Sequence, residues 1–214
     1  MAATKLILGN KTYSSWSLRG WLAARLAGID FEEVVIFLYK PGSREAILSH
    51  NPAGKVPTLV VDGEPVWDSL AIAEYLAETC PDRGLWPADP AARRLARCVT
   101  AEMHAGFQAL RKALPMDLNR RAAKTLAPEV QADIDRVQAI WRDCRGRFGK
   151  GGDFLFGQPT IADAFYAPVV TRFRSYEVTL DPVAEAYCRT ITDWPLMQEW
   201  AAAAAEETEV LVYD

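Results

Sequence analysis

The sequence predicts an α/β unit followed by an all-helical one, and three observations carry that expectation. Short β-rich runs alternate with helix-spaced apolar residues as far as about residue 80. The stretch PDRGLWPADP then packs three prolines and a glycine together and reads as a linker without regular structure. Beyond it, the apolar residues keep a helical period. The expected division is therefore residues 1–80, a linker at 81–90, and a helical unit at 91–214.

In chain order, Lys5 to Leu8 is a short apolar run that fits a strand, and Leu18, Leu22 and Leu26 recur at helical steps with Trp21 on the same side. Gly28 stands where a helix C-cap belongs. Phe31 to Leu38 carries the β-branched and aromatic content of a second strand. SREAILSH suggests a short helix, and TLVVDGEPVW gives two β-rich pieces around Asp62-Gly63, a hairpin signal. Asp68-Ser69 caps a helix whose Ile72, Tyr75 and Leu76 share a face. In the second unit, Leu95, Val99, Met103, Phe107, Leu110 and Leu114 mark one long stripe. Val130, Ile134, Val137 and Trp141 mark another, starting after Pro128. Thr160 with Asp163 three residues on is a shortened capping box. Asp181 to Thr190 and Trp194 to Ala205 complete the helices.

Composition narrows the function. Half of the 214 residues are hydrophobic, enough for a sizeable core. With 24 basic and 28 acidic residues the formal charge is -4, and no stretch concentrates Lys and Arg with aromatics, which argues against a nucleic-acid partner. The first apolar run is too short for a signal segment, and no stretch approaches about 18 apolar residues, so no membrane span and a cytoplasmic location are expected. Cys80, Cys98, Cys144 and Cys188 form no C-x-x-C pair and read as small buried hydrophobes. His50 and His104 sit in no ligand-spaced cluster, so no metal site is expected.

Residues 51 to 76, NPAGKVPTLVVDGEPVWDSLAIAEYL, hold the central constellation. Pro57 cannot donate to a sheet and fixes the geometry of Val56. A cis bond there would turn the Val56 main-chain groups outward, where an extended peptide ligand can pair with them as an added strand. Eleven residues on, the N–H groups and hydroxyl at Asp68-Ser69 suit a ligand carboxylate. Taken singly, each also reads as a plain turn or cap.

Together, NPAGKVPTL and WDSLAIAEYL resemble the N-terminal signature of the glutathione transferase family, and the helical half with TIADA resembles its C-terminal domain. The resemblance covers essentially the whole chain. It implies a thioredoxin-like first domain with a cis-proline at Pro57, an all-α second domain, and a homodimer. SSWSLR, beginning at Ser14, is similar to the zeta-class pattern S-S-C-S-W-R: Ser14, Ser15, Ser17 and Arg19 match, and Trp16 replaces the cysteine. By that resemblance Ser14, with Ser15 as second choice, donates a hydrogen bond to glutathione sulfur. Val56 pairs with the cysteinyl part of glutathione, and Asp68 and Ser69 bind its γ-glutamyl end. Lys55 attracts the glycyl carboxylate as a point charge, with His50 a weaker candidate.

One hydroxyl together with a helix N-terminus suffices physically, provided the sulfur sits on both. A thiol titrates near 8.5, so about two units of depression are needed at about 1.36 kcal/mol each. A charge-assisted hydrogen bond contributes roughly 1.5 to 3 kcal/mol and a helix N-terminus roughly 0.3 to 1. The second substrate, a small electrophile, would meet Tyr13, Met103, His104, Phe107 and Arg111. Zeta isomerases carry a substrate-binding arginine a little beyond the T-x-A-D motif, and Arg172 and Arg174 fall near that position but not on it. The expected function is thus a serine-type glutathione transferase that uses glutathione as co-substrate and no metal. Two other readings are a zeta-like cis-trans isomerase of maleylacetoacetate type and a non-catalytic binding module in which Trp16 blocks the thiol.

Overall fold

In a computed structural model, residues 4–211 are described. The first part of the chain builds a four-stranded sheet from β1 (Lys5–Leu8), β2 (Glu32–Val35), β3 (Thr58–Val61) and β4 (Glu64–Val66), in the order β2-β1-β3-β4. β1 runs parallel to β2, with Leu6 opposite Glu33, and antiparallel to β3, where Leu6 faces Leu59. The β1-β2 connection is α1 (Ser15–Ala27), the crossover that a parallel pair requires. Asp62 (φ 51°) and Gly63 (φ 89°) both hold the left-handed conformation of the hairpin turn between β3 and β4. α2 (Ser43–Leu48) precedes β3, and α3 (Ser69–Thr79) follows β4.

The second domain is helical: α4 (Pro90–Ala105), α5 (Gln108–Ala113), α6 (Pro128–Phe148), α7 (Ile161–Ser175), α8 (Pro182–Asp193) and α9 (Pro195–Ala205). At the centre lies α7, almost wholly buried. Its start is fixed by the expected capping box: the Thr160 N–H donates to Asp163 at 2.8 Å, and Tyr187 Oη donates to the same carboxylate at 3.0 Å. Trp141 packs against Tyr166, Phe173 and Tyr187 to fill the space between α6, α7 and α8.

α1 is the seam between the two domains. It packs on α3 within its own domain and on α7 and α9 of the other. Leu18, Trp21 and Leu22 are fully buried, each contributing roughly 1.5 to 3 kcal/mol of apolar transfer or more, and Trp21 meets Trp200 of α9 at 5.3 Å. Gly20 faces Pro57: a Cβ at that position would lie 2.7 Å from the proline ring. The missing side chain lets the helix that begins at Ser14 approach the Pro57 turn.

Four expectations are corrected. Residues 81–90 are not without regular structure, since Pro81–Arg83 forms a 3-10 turn before α4 starts at Pro90. The stripe from Leu95 to Leu114 is two helices, not one; Gly106 and Phe107 (φ 61°) break it, and the Arg111 guanidinium takes the carbonyls of Met103 and Gly106 that the break leaves over. The second strand covers Glu32–Val35 rather than Phe31 to Leu38, because the chain leaves the sheet to place the Leu38 N–H on Asn10 Oδ1 at 2.8 Å. Only Cys144 and Cys188 are buried, with burial pushing both thiols up to about 12, whereas Cys98 is exposed and Cys80 half-buried.

Candidate functional site

The turn Asn10–Ser14 delivers the chain from β1 to α1. The N–H groups of Tyr13 and Ser14 both donate to the Asn10 carbonyl, at 3.3 and 2.8 Å. Ser14 is then the N-cap, its Oγ accepting from the Ser17 N–H at 3.3 Å and donating to Ser17 Oγ at 2.8 Å. Ser17 Oγ also accepts from the Gly9 N–H at 2.9 Å, which links the strand end to the helix start.

Ser14 lines a groove of about 560 Å³ whose other walls include Lys40, Lys55, Val56, Pro57 and Asp68. The Val56-Pro57 bond is cis, and so is Trp67-Asp68. Asp68 caps α3, accepting from the Leu70 N–H at 3.0 Å through Oδ1, while Oδ2 lies 3.2 Å from His104 Nε2. Ser69 is fully buried, and its Oγ has no hydrogen-bond partner among the described residues. The fold thus brings Ser14, Lys55, Val56, Pro57 and Asp68, all singled out from the sequence, to one groove.

Ser15 does not share it. Its hydroxyl turns to the other side, where it accepts from Arg172 Nη2 at 3.1 Å. Three other sequence candidates move as well. Met103 is fully buried and Phe107 nearly so, both inside the apolar core, so neither has a surface to offer a second substrate. Tyr13 is half-buried in the turn, outside the groove lining.

His104 and Arg111 do gather, around Trp16. The Trp16 indole, which lines the groove, meets the His104 ring edge-on at 5.4 Å, the Arg111 guanidinium at 5.0 Å and that of Arg19 at 4.4 Å. Trp16 therefore forms the wall between the groove and a cluster of cations, and it leaves Ser14 on the groove side. Arg19 is the unusual member: it is fully buried, and none of its three guanidinium nitrogens has a hydrogen-bond partner among the described residues. Burial, and then the charges of Arg111 and Arg172, hold its pKa well below the ordinary arginine value. His104 is likewise pushed down, mainly by burial; the Asp68 carboxylate opposes the shift while Arg19 and Arg111 add to it.

Arg172 is held by the carbonyls of Leu114 (2.8 Å) and Pro168 (3.0 Å) as well as by Ser15, while Arg174 pairs with Glu185 on α8 instead. The sequence matches Arg19 to a motif without giving it a task, and it places Arg172 near the position of the zeta isomerases' arginine but not on it. Its signal was present: Arg172 lies three turns into the apolar helix that the capping box opens, where an arginine needs partners.

Two family models match the chain, glutathione S-transferase N-terminal domain over residues 13–79 and C-terminal domain over residues 127–203. The chain belongs to the glutathione S-transferase family, enzymes that use glutathione. Among curated relatives, the maleylacetoacetate isomerase of Rattus norvegicus is 32% identical over 189 residues, covering 85% of this chain and 84% of that one. A probable maleylacetoacetate isomerase of Caenorhabditis elegans is 31% identical over 187 residues, covering 85% of each chain. Among solved structures, a maleylpyruvate isomerase described as a bacterial zeta-class glutathione S-transferase shares the fold at a TM-score of 0.73 and 24% identity, covering 96% of this chain and all of that one.

Proposed function

We propose that the chain ionises glutathione at Ser14 and directs the thiolate at a small electrophile that carries a carboxylate. The observation that carries this reading is Arg19. A buried guanidinium without hydrogen bonds costs several kcal/mol in effective desolvation, which an anion offsets once the exposed Trp16 indole that covers Arg19 swings aside and opens it to the groove. Arg111 and Arg172 add charge of the same sign, and the cluster adjoins the groove through Trp16.

In the groove, Ser14 fits the thiolate role because it both lines the cavity and caps α1. A hydroxyl has one donor and two acceptor sites. The Ser14 proton, which rests on Ser17 Oγ, turns to sulfur when the thiol binds; Ser17 Oγ then donates to Ser14 Oγ while still accepting from Gly9, and no general base is needed. Asp68, with the orphan hydroxyl of Ser69 beside it, suits the γ-glutamyl end; Val56 suits the cysteinyl part and Lys55 the glycyl carboxylate. The thiol's proton leaves to solvent, and the thiolate forms a carbon–sulfur bond at the electrophile's unsaturated carbon as the carbon–carbon π bond breaks. The electron pair moves to the carbonyl oxygen near the arginines, and the enolate takes a proton from water to complete the adduct.

A second reading, reversible addition, is favoured by the same cluster and by the relatives' names. The carbon–sulfur bond forms, the former double bond rotates, and the thiolate leaves, so a cis acid becomes trans with glutathione returned. Offering a maleyl-type diacid distinguishes the two: consumption of glutathione marks conjugation, and turnover without consumption marks isomerisation. Retention on immobilised glutathione with no thiolate absorbance would instead mark a binding module and refute both. No helix among the described residues is long and apolar enough to cross a membrane; a cytoplasmic homodimer is the setting we propose, checked by sedimentation and cell fractionation.

A further inference from the structure

The turn that presents Ser14 is anchored from outside its own domain. Lys11 and Thr12 lie two to three residues before Ser14, and all four of their main-chain groups bond to the second half of the chain. The N–H of Lys11 donates to Glu207 Oε1 at 2.5 Å, and that of Thr12 donates to Glu207 Oε2 at 2.9 Å. The Lys11 carbonyl accepts from Trp200 Nε1 at 3.0 Å, and the Thr12 carbonyl accepts from the Leu118 N–H at 3.3 Å. Thr12 Oγ1 adds a bond to the Ala204 carbonyl at 3.2 Å. Glu207 follows α9, and one carboxylate spanning two consecutive N–H groups fixes the orientation of both peptide planes. Two residues further, Glu209 meets Lys40 Nζ at 2.8 Å, and Lys40 lines the same groove as Ser14. The segment after α9 is thereby tied both to the turn before Ser14 and to a second lining residue of the groove.

The structure assigns Glu207 as a positioning residue for thiol ionisation: its carboxylate holds the Lys11–Thr12 backbone so that the Ser14 hydroxyl stands at the sulfur. Lys11's own ammonium is engaged elsewhere, with Glu33 at 2.5 Å and over the Trp200 ring, so it does not substitute for Glu207 as the link. A hydrogen bond to an anion loses strength steeply with misalignment, so a small shift of the cap changes thiol acidity before it changes the hold on the rest of the tripeptide. The inference rests on the reading of Ser14 given above.

Glu207→Ala and Glu207→Gln test it in the full chain, with Ser14→Ala beside them. The readouts are the pKa of enzyme-bound glutathione from thiolate absorbance, and the dissociation constant of S-methylglutathione, which has no thiol to ionise. Glu207→Ala is expected to raise the thiol pKa by about half a unit to one unit, and Glu207→Gln, which keeps one acceptor, by less, with S-methylglutathione affinity within about twofold. An unchanged thiol pKa in both Glu207 variants alongside a raised one in Ser14→Ala overturns the inference and leaves the Ser14 reading standing. A loss of S-methylglutathione affinity without a pKa shift also overturns it, since Glu207 would then act only on binding. A shift in the Glu207 variants but none in Ser14→Ala overturns both the inference and the Ser14 reading, since the anchored turn would then serve another donor.

Discussion

Replacing Arg19 by methionine separates what the arginine cluster does for stability from what it does for chemistry. Methionine fills much of the same volume with no charge. The change gives up two cation–π contacts, at 4.4 Å from Trp16 and 5.2 Å from Phe165, worth about 0.5 to 2 kcal/mol each. It also removes a fully buried guanidinium with no hydrogen bond, whose effective desolvation cost is several kcal/mol. At mid-range, about 4 kcal/mol of desolvation against about 2.5 kcal/mol for the two contacts favours the variant by about 1 to 2 kcal/mol, which for a chain of this size raises Tm by roughly 2 to 8 °C. Activity moves the other way. Losing one charge-assisted bond to a substrate carboxylate lowers kcat/KM for a maleyl-type diacid by about 10- to 150-fold, while a neutral electrophile changes by less than about threefold. Thermal unfolding with glutathione absent, together with steady-state kinetics on both electrophiles, measures the two effects. A variant that is less stable and still turns over the diacid at the original kcat/KM would refute the assignment of Arg19 as an anion site.

Three further outcomes are expected. Ser14→Ala raises the pKa of bound glutathione by roughly one to two units, the worth of one hydrogen bond to a thiolate, while Ser15→Ala leaves it near the original value; the reverse pattern in thiolate absorbance would exchange the two residues. Asp68→Ala weakens glutathione binding by about tenfold or more with little effect on the thiol pKa, as read by titration calorimetry and absorbance on the same sample. Burial pushes the Asp163 carboxyl up from 3.8 to about 6 despite its hydrogen bonds. Between those values the folded chain keeps a proton that the unfolded chain has released, so this contribution is complete below about pH 4 and lost as pH rises through 6. Its size is about 3 kcal/mol, and denaturant midpoints of the original chain relative to the non-titrating Asp163→Asn should fall across that window.

What the sequence disclosed and what it hid divide by distance along the chain. Ser14 as a cap, the Asp62-Gly63 hairpin, the Asp68 cap and the Thr160–Asp163 box are each decided within about four residues, by hydroxyl, carboxylate and glycine chemistry that a single sequence displays. Their convergence on one groove was legible through the family resemblance rather than through the residues alone. Hidden were the features settled by remote partners. The break at Gly106 leaves carbonyls that Arg111 collects from the following helix, so an unbroken apolar stripe looked sufficient. Met103 and Phe107 lie in the core rather than on a pocket wall, a distinction hidden because helical spacing tells which face is apolar but not what covers it. The Arg172–Ser15 bond joins residues 157 positions apart, and the Glu207 contacts join residues 195 and 196 apart, separations at which no local pattern exists.

Anchoring Lys11 and Thr12 through the far half of the chain also fixes the order in which competence arises during synthesis. A ribosome that has released only the first domain has made the groove walls, but the peptide groups just ahead of Ser14 still face water. On the Ser14 and Glu207 assignments, glutathione held by such a half-made polypeptide keeps a protonated, weakly nucleophilic thiol until the segment after α9 has docked.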